Sequence, residues 1–413
     1  MFFKWLIAGY MTLWMINPIA QAQINVCSSC SVSTIQDGIN AASAYDTVLI
    51  EQGIYYEHNI LLSKPLTLIG ENGVIIDGEK LGTILKVQTE DVHISNLILK
   101  RVGISHTDEF AAVHVSESKN FTLNKLVVED AFFGFLIEGS SNGTITNNEL
   151  SGESELEFYS GNGVHAWKSK FLTITGNTIR NLRDGIYLEF VDNSEVTNNL
   201  SEKNIRYGLH FMFSDNNAYS KNVFKNNGAG VAVMFSKNIK MIENKFENNW
   251  GTASFGLLLK EINDAEITDN IFKENTVAIA VEGSSRINYL NNTLSGNGWG
   301  VKMSGGCYDN MFSKNTFSSN SFDVSFNSRL NDNKFSGNYW STYSGYDLDK
   351  DGIGDVPHRP VKLFSYVVNR TPETMILLRS LFVDLINFTE NVTPVFTPVE
   401  LIDDKPLMKE PND

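Results

Sequence analysis

A glycine-led segment of alternating residues returns about every 22 residues through the middle of the chain, and this repeat limits the fold more than any other feature. The copies open at Gly134, Gly163, Gly185, Gly208, Gly230, Gly256, Ala278, Gly300 and, in degenerate form, Asp323. Each holds two or three short alternating stretches separated by Asn, Gly and Ser, with no helical stretch between them. The period is too short for a tetratricopeptide unit or a propeller blade, and the L-x-x-L-x-L skeleton of a leucine-rich repeat is absent. One repeat is therefore one coil of a solenoid, stacked on its neighbours at about 4.8 Å by parallel hydrogen bonding. The expected fold is all-β, a right-handed parallel β-helix.

An asparagine recurs in each coil: Asn148, Asn177, Asn199, Asn222, Asn244, Asn270, Asn292, Asn315 and Asn333. Asparagine tolerates left-handed backbone angles at a turn, and stacked copies can bond side chain to side chain. The residue after each Asn-x pair is apolar, and Ile179, Phe224, Phe246, Phe272, Leu294, Phe317 and Phe335 are expected to stack as one core column. Ser33 to Ala44 reads as a short amphipathic helix, with Ile35, Ile39 and Ala42 on one side, that covers the open end of the first coil. The acidic insertion Ser151 to Ser160 must loop out of its coil, as must Thr252 to Phe255.

Four regions follow: 1–22, an export signal; 23–340, the β-helix with its N-terminal cap; 341–368, an aspartate-rich capping loop; 369–413, a helical and extended docking tail. The signal rests on Lys4, the apolar run from Leu6 to Met15, and the small-x-small end Ala20-Gln21-Ala22. Export would leave Cys27 and Cys30 free to form a local disulfide, to offer two thiolates to a metal, or to tie down the N-terminus without either. Cys307, inside a repeat, reads as a small buried hydrophobe. The net charge of −15 is spread without a Lys/Arg block, which disfavours nucleic acid as a partner.

Alternation places two columns on the outside of the segments that open the coils: His165, Tyr187, His210 and Ala232, and beside them Trp167, Glu189, Met212 and Met234. Solenoid faces are ordinarily polar, so Trp and Met side by side stand out. His210, Met212 and Met234 could bind Cu(I) transiently, and His165, Trp167 and Tyr187 could form an apolar contact surface. A covering loop, or a reversed register, is the third reading. Glu138, Glu189 and Glu282 share an outward position, but Trp167, Met212, Met234 and Lys260 interrupt them, so no carboxylate pair suggests catalysis. His58, His93, His106 and His114 are scattered and carry no assigned role.

After the last coil, Asp347, Asp349, Asp351 and Asp355 take positions 1, 3, 5 and 9 of a loop with Gly352 at 6 and the Ile353 carbonyl at 7. Hard calcium prefers this oxygen array, although His358 stands where an EF-hand has its bidentate Glu. A calcium-stapled turn and an Asx-rich turn without metal are both open. Trp340, Tyr343 and Tyr346 are expected to pack over the last coil. Pro372 suits the first turn of a helix, and the run from Met375 to Asn387, with Leu377, Leu378, Leu381, Phe382 and Leu385, is too short to span a membrane. It either folds back on the solenoid or grips a partner. Pro394 to Pro398 and Asp403 to Met408 read as a flexible or wrapping arm.

The stretches TIQDGINAA at 34–42, KPLTLIGENGVIIDG at 64–78, GNYWSTYSGYDLDKDGIGDVPHRP at 337–360 and RTPETMILLRSLFVDLI at 370–386, with PLM at 406–408, together resemble the NosD family, periplasmic maturation proteins of nitrous oxide reductase. The resemblance covers essentially the whole mature chain. It implies a non-enzymatic accessory factor of denitrification that works with an ABC-type permease and its ATPase to assemble the copper-sulfur centre of the reductase. The tail would engage the permease, holding the protein peripherally at the inner membrane, and copper would be handed over by, or passed along with, a copper chaperone. The competing expectation is an exported β-helix that binds or cleaves carbohydrate, with Trp167 and Tyr187 as sugar platforms; a purely structural surface protein is a third.

Overall fold

The computed structural model describes residues 22–105, 107–153, 156–327, 332–378, 380–392 and 401–411. The expected export signal, apart from Ala22, and the stretch 394–398 lie outside them, as does His106.

Three parallel sheets of 14, 12 and 13 strands wind into a right-handed β-solenoid. In the coil that begins at Ile186, the strands are Ile186–Glu189, Glu195–Thr197 and Leu200–Glu202, which lie in what we name the opening, middle and closing sheets. Each strand pairs with its counterpart one coil on, as in Ile186 with Leu209, Val196 with Tyr219 and Ser201 with Phe224. Most middle and closing strands are three residues long, so a single central side chain points inward from each. That geometry makes core columns out of single sequence positions.

In the closing sheet, Phe224, Phe246 and Phe272 stack with ring centroids 5.5 and 4.4 Å apart. Each is fully buried, contributing on the order of 2–3 kcal/mol by removal from water. The column ends differently from expectation. Phe317 is followed by Trp340, stacked at 4.1 Å, whereas Phe335 stacks on Phe312 in the middle sheet at 4.4 Å. Trp340 is thus inside the last coil rather than over it.

The expected asparagine ladder runs from Asn148 to Asn315 along the bend between middle and closing sheets. At each step the main-chain N–H and Nδ2 of one residue both donate to Oδ1 of the next, as from Asn177 to Asn199 at 2.9 Å each. Its ninth member is Asn338, not Asn333: Asn315 donates to Asn338, and Asn333 receives from Asn310 at another bend. The left-handed backbone belongs to the residue before each ladder member, such as Asn147 with φ 55° and Lys221 with φ 56°. A second ladder, absent from the sequence reading, joins Asn204, Asn227, Asn249, Asn275, Asn297 and Asn320 at the bend between closing and opening sheets. Two satisfied polar ladders inside an apolar tube fix the register of every coil, because a slipped coil would leave buried donors unpaired.

Helix α1, Ile35–Ala41, covers the N-terminal end, with Thr34 Oγ1 accepting from the Asp37 N–H at 3.1 Å. Gly38 is required there, since a Cβ would lie 2.5 Å from Val26 Cγ2.

The C-terminal end is closed by the chain itself. Asp403, fully buried, accepts from the main-chain N–H groups of Gly337 and Asn338, from Asn338 Nδ2 and from Trp340 Nε1, all at 2.9 to 3.0 Å. Parallel bridges tie Phe335 to Asp403 and Tyr339 to Leu407. The stretch Asp403 to Met408, expected as a flexible or wrapping arm, is an added partial coil whose carboxylate terminates the first ladder. Between the last full coil and this segment lie helix α2, Leu363–Arg370, a 3-10 turn, Pro372–Leu377, and helix α3, Leu381–Val392. The single helix expected from Pro372 is therefore a tight turn followed by a helix, and α2 was not anticipated.

Candidate functional site

The outer face of the opening sheet carries the residues singled out from sequence, in the register expected. His165 pairs with Tyr187, Tyr187 with His210 and His210 with Ala232; Trp167 pairs with Glu189, Glu189 with Met212 and Met212 with Met234. Strand spacing turns the first column into a ring stack, His165 on Tyr187 at 4.8 Å and Tyr187 on His210 at 4.6 Å.

The face is not open along its length. His165 is 8% exposed, His210 6% and Ala232 0%, against the expectation of solvent-facing positions. Phe133 lies 5.8 Å from His165, and Tyr207 lies 4.8 Å from His210. The other members, Tyr187, Trp167, Glu189, Met212 and Met234, are half-buried. Burial pushes the His165 imidazole down to about 4, helped by the Arg183 charge, and pushes the Tyr187 phenol up to about 12, helped by Glu189. Both ring nitrogens of His165 and of His210 lack a hydrogen-bond partner, although His210 Nδ1 is 3.5 Å from the buried Asp184 carboxylate. Tyr187 donates its hydroxyl to Met212 Sδ at 3.6 Å. Thioether sulfur and an imidazole backed by a carboxylate thus lie on one face of the sheet, donor types suited to a soft monovalent ion.

Beside the methionines runs a feature that alternation does not reveal. Phe190, Phe213 and Phe235 each directly follow an opening strand, and each has a left-handed backbone with φ of 52°, 50° and 51°. Their rings stack at 5.1 and 5.0 Å, with Phe190 45% and Phe213 41% exposed. A bulky residue at such an angle costs roughly 1–2 kcal/mol, and Gly139, Gly283 and Gly305 take the same place in other coils. The only sequence trace is the repeated Met-Phe-Ser at 212–214 and 234–236. Lys168 Nζ lies 4.1 Å over the Trp167 ring at the N-terminal end of this strip.

Further along the same sheet, the tail folds back. Phe364 and Val368 of α2 and Val383 of α3 are buried in one cluster with Ala232, Leu258, Ala280, Trp299 and Phe322, and Leu378 is partly buried against it. The opposite side of the tail is apolar and open: Ile376 is 89% exposed, Leu381 83%, Phe382 57%, Leu385 60% and Phe388 65%, with Met375 and Leu377 less so. The tail is thus folded back on the solenoid by one face, and its other face is unpartnered among the described residues.

In the aspartate loop, Asp347, Asp349 and Asp351 bring carboxylate oxygens within 4.8 Å of one another. Asp355 instead accepts from the Leu348 N–H at 2.7 Å, and Ile353 pairs with Leu407. The Asp351 charge holds the Asp349 carboxyl above its usual range, while N–H groups from Gly352 and Lys350 hold Asp347 below it. Cys27 and Cys30 form a disulfide, with Glu51 beside it. Of the scattered histidines, His114 meets Glu138 at 2.5 Å.

No helix of the described residues is long and apolar enough to cross a membrane. The family described as "Periplasmic copper-binding protein (NosD)" matches residues 151–345. "Probable ABC transporter binding protein NosD" of Stutzerimonas stutzeri is 26% identical over 380 residues, covering 87% of this chain and 86% of that one. The protein of the same name from Pseudomonas aeruginosa is 26% identical over 375 residues, covering 86% and 87%. Among solved structures, the periplasmic alginate epimerase AlgG superposes with a TM-score of 0.54 at 14% identity, over 76% of this chain and 83% of that one. The Streptococcus pneumoniae adhesin PfbA gives 0.54 at 14%, over 73% and 95%. An epimerase and an adhesin share the solenoid, so these two likenesses concern the fold alone. The family match spans the coils that carry the histidine, methionine and phenylalanine columns, and the two relatives align over 86–87% of the chain at 26% identity, so the chain is similar to the NosD family over most of its length.

Proposed function

We propose that this protein is a non-enzymatic periplasmic accessory factor that works with an ABC-type permease and its ATPase to assemble the copper-sulfur centre of nitrous oxide reductase. The carrying observation is the tail: it is anchored to the solenoid by Phe364, Val368 and Val383 while it presents Ile376, Leu381, Phe382, Leu385 and Phe388 to solvent. An apolar face held on a rigid rod is a docking surface for an apolar partner, and the permease is the partner its family suggests. Motion of the permease would move the rod as a unit, because coils joined by two internal ladders resist bending. The half-exposed strip of Trp167, Tyr187, Met212, Met234 and the three stacked phenylalanines is the second contact, for the reductase or the copper chaperone.

Cu(I) is cargo in this reading. His210, Met212 and Met234 would take it up transiently, with the Asp184 carboxylate 3.5 Å from His210 Nδ1 to balance the charge. Calcium at Asp347, Asp349 and Asp351, with Ile353 and Asp355 flanking, would stiffen the loop next to the tail.

Substituting Leu381, Leu385 and Phe388 by Ser tests the tail without cutting the chain before Asp403. Co-purification with the permease is expected to disappear while urea unfolding stays as in the parent; retained association rejects the role. For copper, the H210N/M212L/M234L protein is expected to lose one Cu(I) equivalent in a competition titration with a Cu(I) chelator. Full stoichiometry in that variant would place the ion elsewhere.

A further inference from the structure

A cavity of about 460 Å³ lies at the C-terminal end of the solenoid, lined by none of the residues assigned to copper or to docking. Five segments meet there: the aromatic turn with Tyr343 and Tyr346, the exit of the aspartate loop with His358 and Arg359, the start of α2 with Lys362, Glu390 of α3, and Ile402. Two of its polar groups are already engaged. The Tyr343 hydroxyl donates to the Val356 carbonyl at 2.6 Å, and the Glu390 carboxylate accepts from the Leu363 N–H at 3.0 and 3.2 Å.

Three others are not. His358 is 7% exposed, its ring packed 4.9 Å from Trp340, and its Nε2 is buried without a hydrogen-bond partner. Arg359 and Lys362 are in none of the ion pairs found among the described residues, whose pairs otherwise engage lysines and arginines along the rod. A buried polar nitrogen left unpaired costs about 1–3 kcal/mol, and two unpaired cations on one wall repel each other. Burial and the Lys362 charge push His358 down to about 3, so the ring is neutral and can offer an N–H without adding a third charge. A guanidinium fork, a mobile ammonium and an imidazole N–H on one cavity are donors for an oxyanion, and the lining's two cations outnumber its one carboxylate, Glu390, so a positive charge remains for a phosphate. The size suits a small ester rather than a bare ion.

We propose that this cavity binds a phosphate-bearing ligand, with Arg359 and Lys362 on the phosphate oxygens, His358 Nε2–H donating to it, and Tyr343 and Tyr346 flanking the remainder. The phosphate belongs to a free ester or to a phospholipid headgroup, since both present the same group. Because the cavity wall is shared by the last coil, the loop and both tail helices, occupancy braces the tail against the rod.

The test uses the complete mature protein with three probes: inorganic phosphate, glycerol 1-phosphate, and phosphatidylcholine vesicles with or without phosphatidylglycerol. Saturable binding of at least one probe is expected, weakened about tenfold or more in R359Q and in K362Q and further in the double variant, with K221Q as a surface-charge control. These are half-buried or exposed positions, and unchanged urea unfolding confirms that the variants are folded. Binding of the two soluble phosphates identifies a free ester; binding only to vesicles containing phosphatidylglycerol, with the same loss in the variants, identifies a headgroup. The proposal is overturned if no probe saturates, or if R359Q and K362Q bind no more weakly than K221Q.

Discussion

Replacing Asn244 by Ala tests the ladder that holds the rod together. Asn244 Oδ1 accepts from the Asn222 main-chain N–H at 3.1 Å and from its Nδ2 at 3.0 Å; its own Nδ2 donates to the Tyr219 carbonyl and to Asn270 Oδ1, each at 3.0 Å. Alanine removes all four bonds, but the damage is unequal. Asn222 Nδ2 keeps the Val196 carbonyl and Asn270 Oδ1 keeps the Asn244 N–H, both at 2.9 Å. The fully buried Asn222 N–H is orphaned, and the Tyr219 carbonyl loses a partner. At about 1–3 kcal/mol for each unsatisfied group, the loss is roughly 2–6 kcal/mol, a large share of the ~5–15 kcal/mol typical of a folded domain. Since coils contact only their neighbours, the weakening should be local. Urea unfolding should show the loss, and hydrogen exchange should quicken at residues 219–224 and 241–246 while residues near 123 and 335 keep their protection. Asn216, whose exposed side chain accepts from Asn238 at 2.9 Å, is the control: N216G should change stability by less than about 0.5 kcal/mol. A loss below about 1 kcal/mol in N244A, or one equal to that of N216G, would refute the reasoning.

Stability should depend on acid through the buried histidines. The neutral His165 ring is favoured in the folded state, whose pKa of about 4 lies below the ordinary 6.5, so its stabilisation is present above pH 6.5 and is lost as pH falls towards 4. That window is worth roughly 3 kcal/mol, and H165F should flatten it in unfolding midpoints measured between pH 7 and pH 4. Calcium at millimolar concentration should raise the thermal midpoint, the D347N/D349N protein should not respond, and the gain should shrink as the carboxylates protonate in acid. F213G should leave stability equal or higher by up to about 1 kcal/mol, because glycine relieves the left-handed strain, yet should weaken association with the reductase or the chaperone; unchanged association would remove the phenylalanine strip from the contact.

The solenoid was legible because its physics is written once per coil: the bends and the inward positions leave the same trace in every repeat. Even so, the last coil misled. The Asn-Lys-Phe at 333–335 imitates the spacing around the closing bend, but Asn333 and Phe335 belong to a different bend and to the middle sheet, and only the stacking partners Asn310 and Phe312 reveal it. Helix α2 was hidden for another reason, since its fold depends on Trp299 and Phe322, about 40 residues and more upstream, which receive Phe364. Alternation correctly put His165 and His210 on the outer face. It could not say that Phe133, from the preceding coil, and Tyr207, at the start of His210's own strand, would lay their rings against them. The three phenylalanines escaped notice because a turn position is where bulky aromatics are least expected.

The position of Asp403 bears on how the molecule comes into being. Its carboxylate satisfies donors on Gly337, Asn338 and Trp340 that no earlier part of the described chain satisfies. During synthesis and export, everything up to the last repeat can wind up while its final edge still offers bare hydrogen-bonding groups to any passing strand. Only when the residues around Asp403 emerge does that growing end stop being adhesive. A product cut short by a few dozen residues would therefore be well wound yet prone to end-to-end polymerisation, and quality control could distinguish it from the finished molecule by that edge alone.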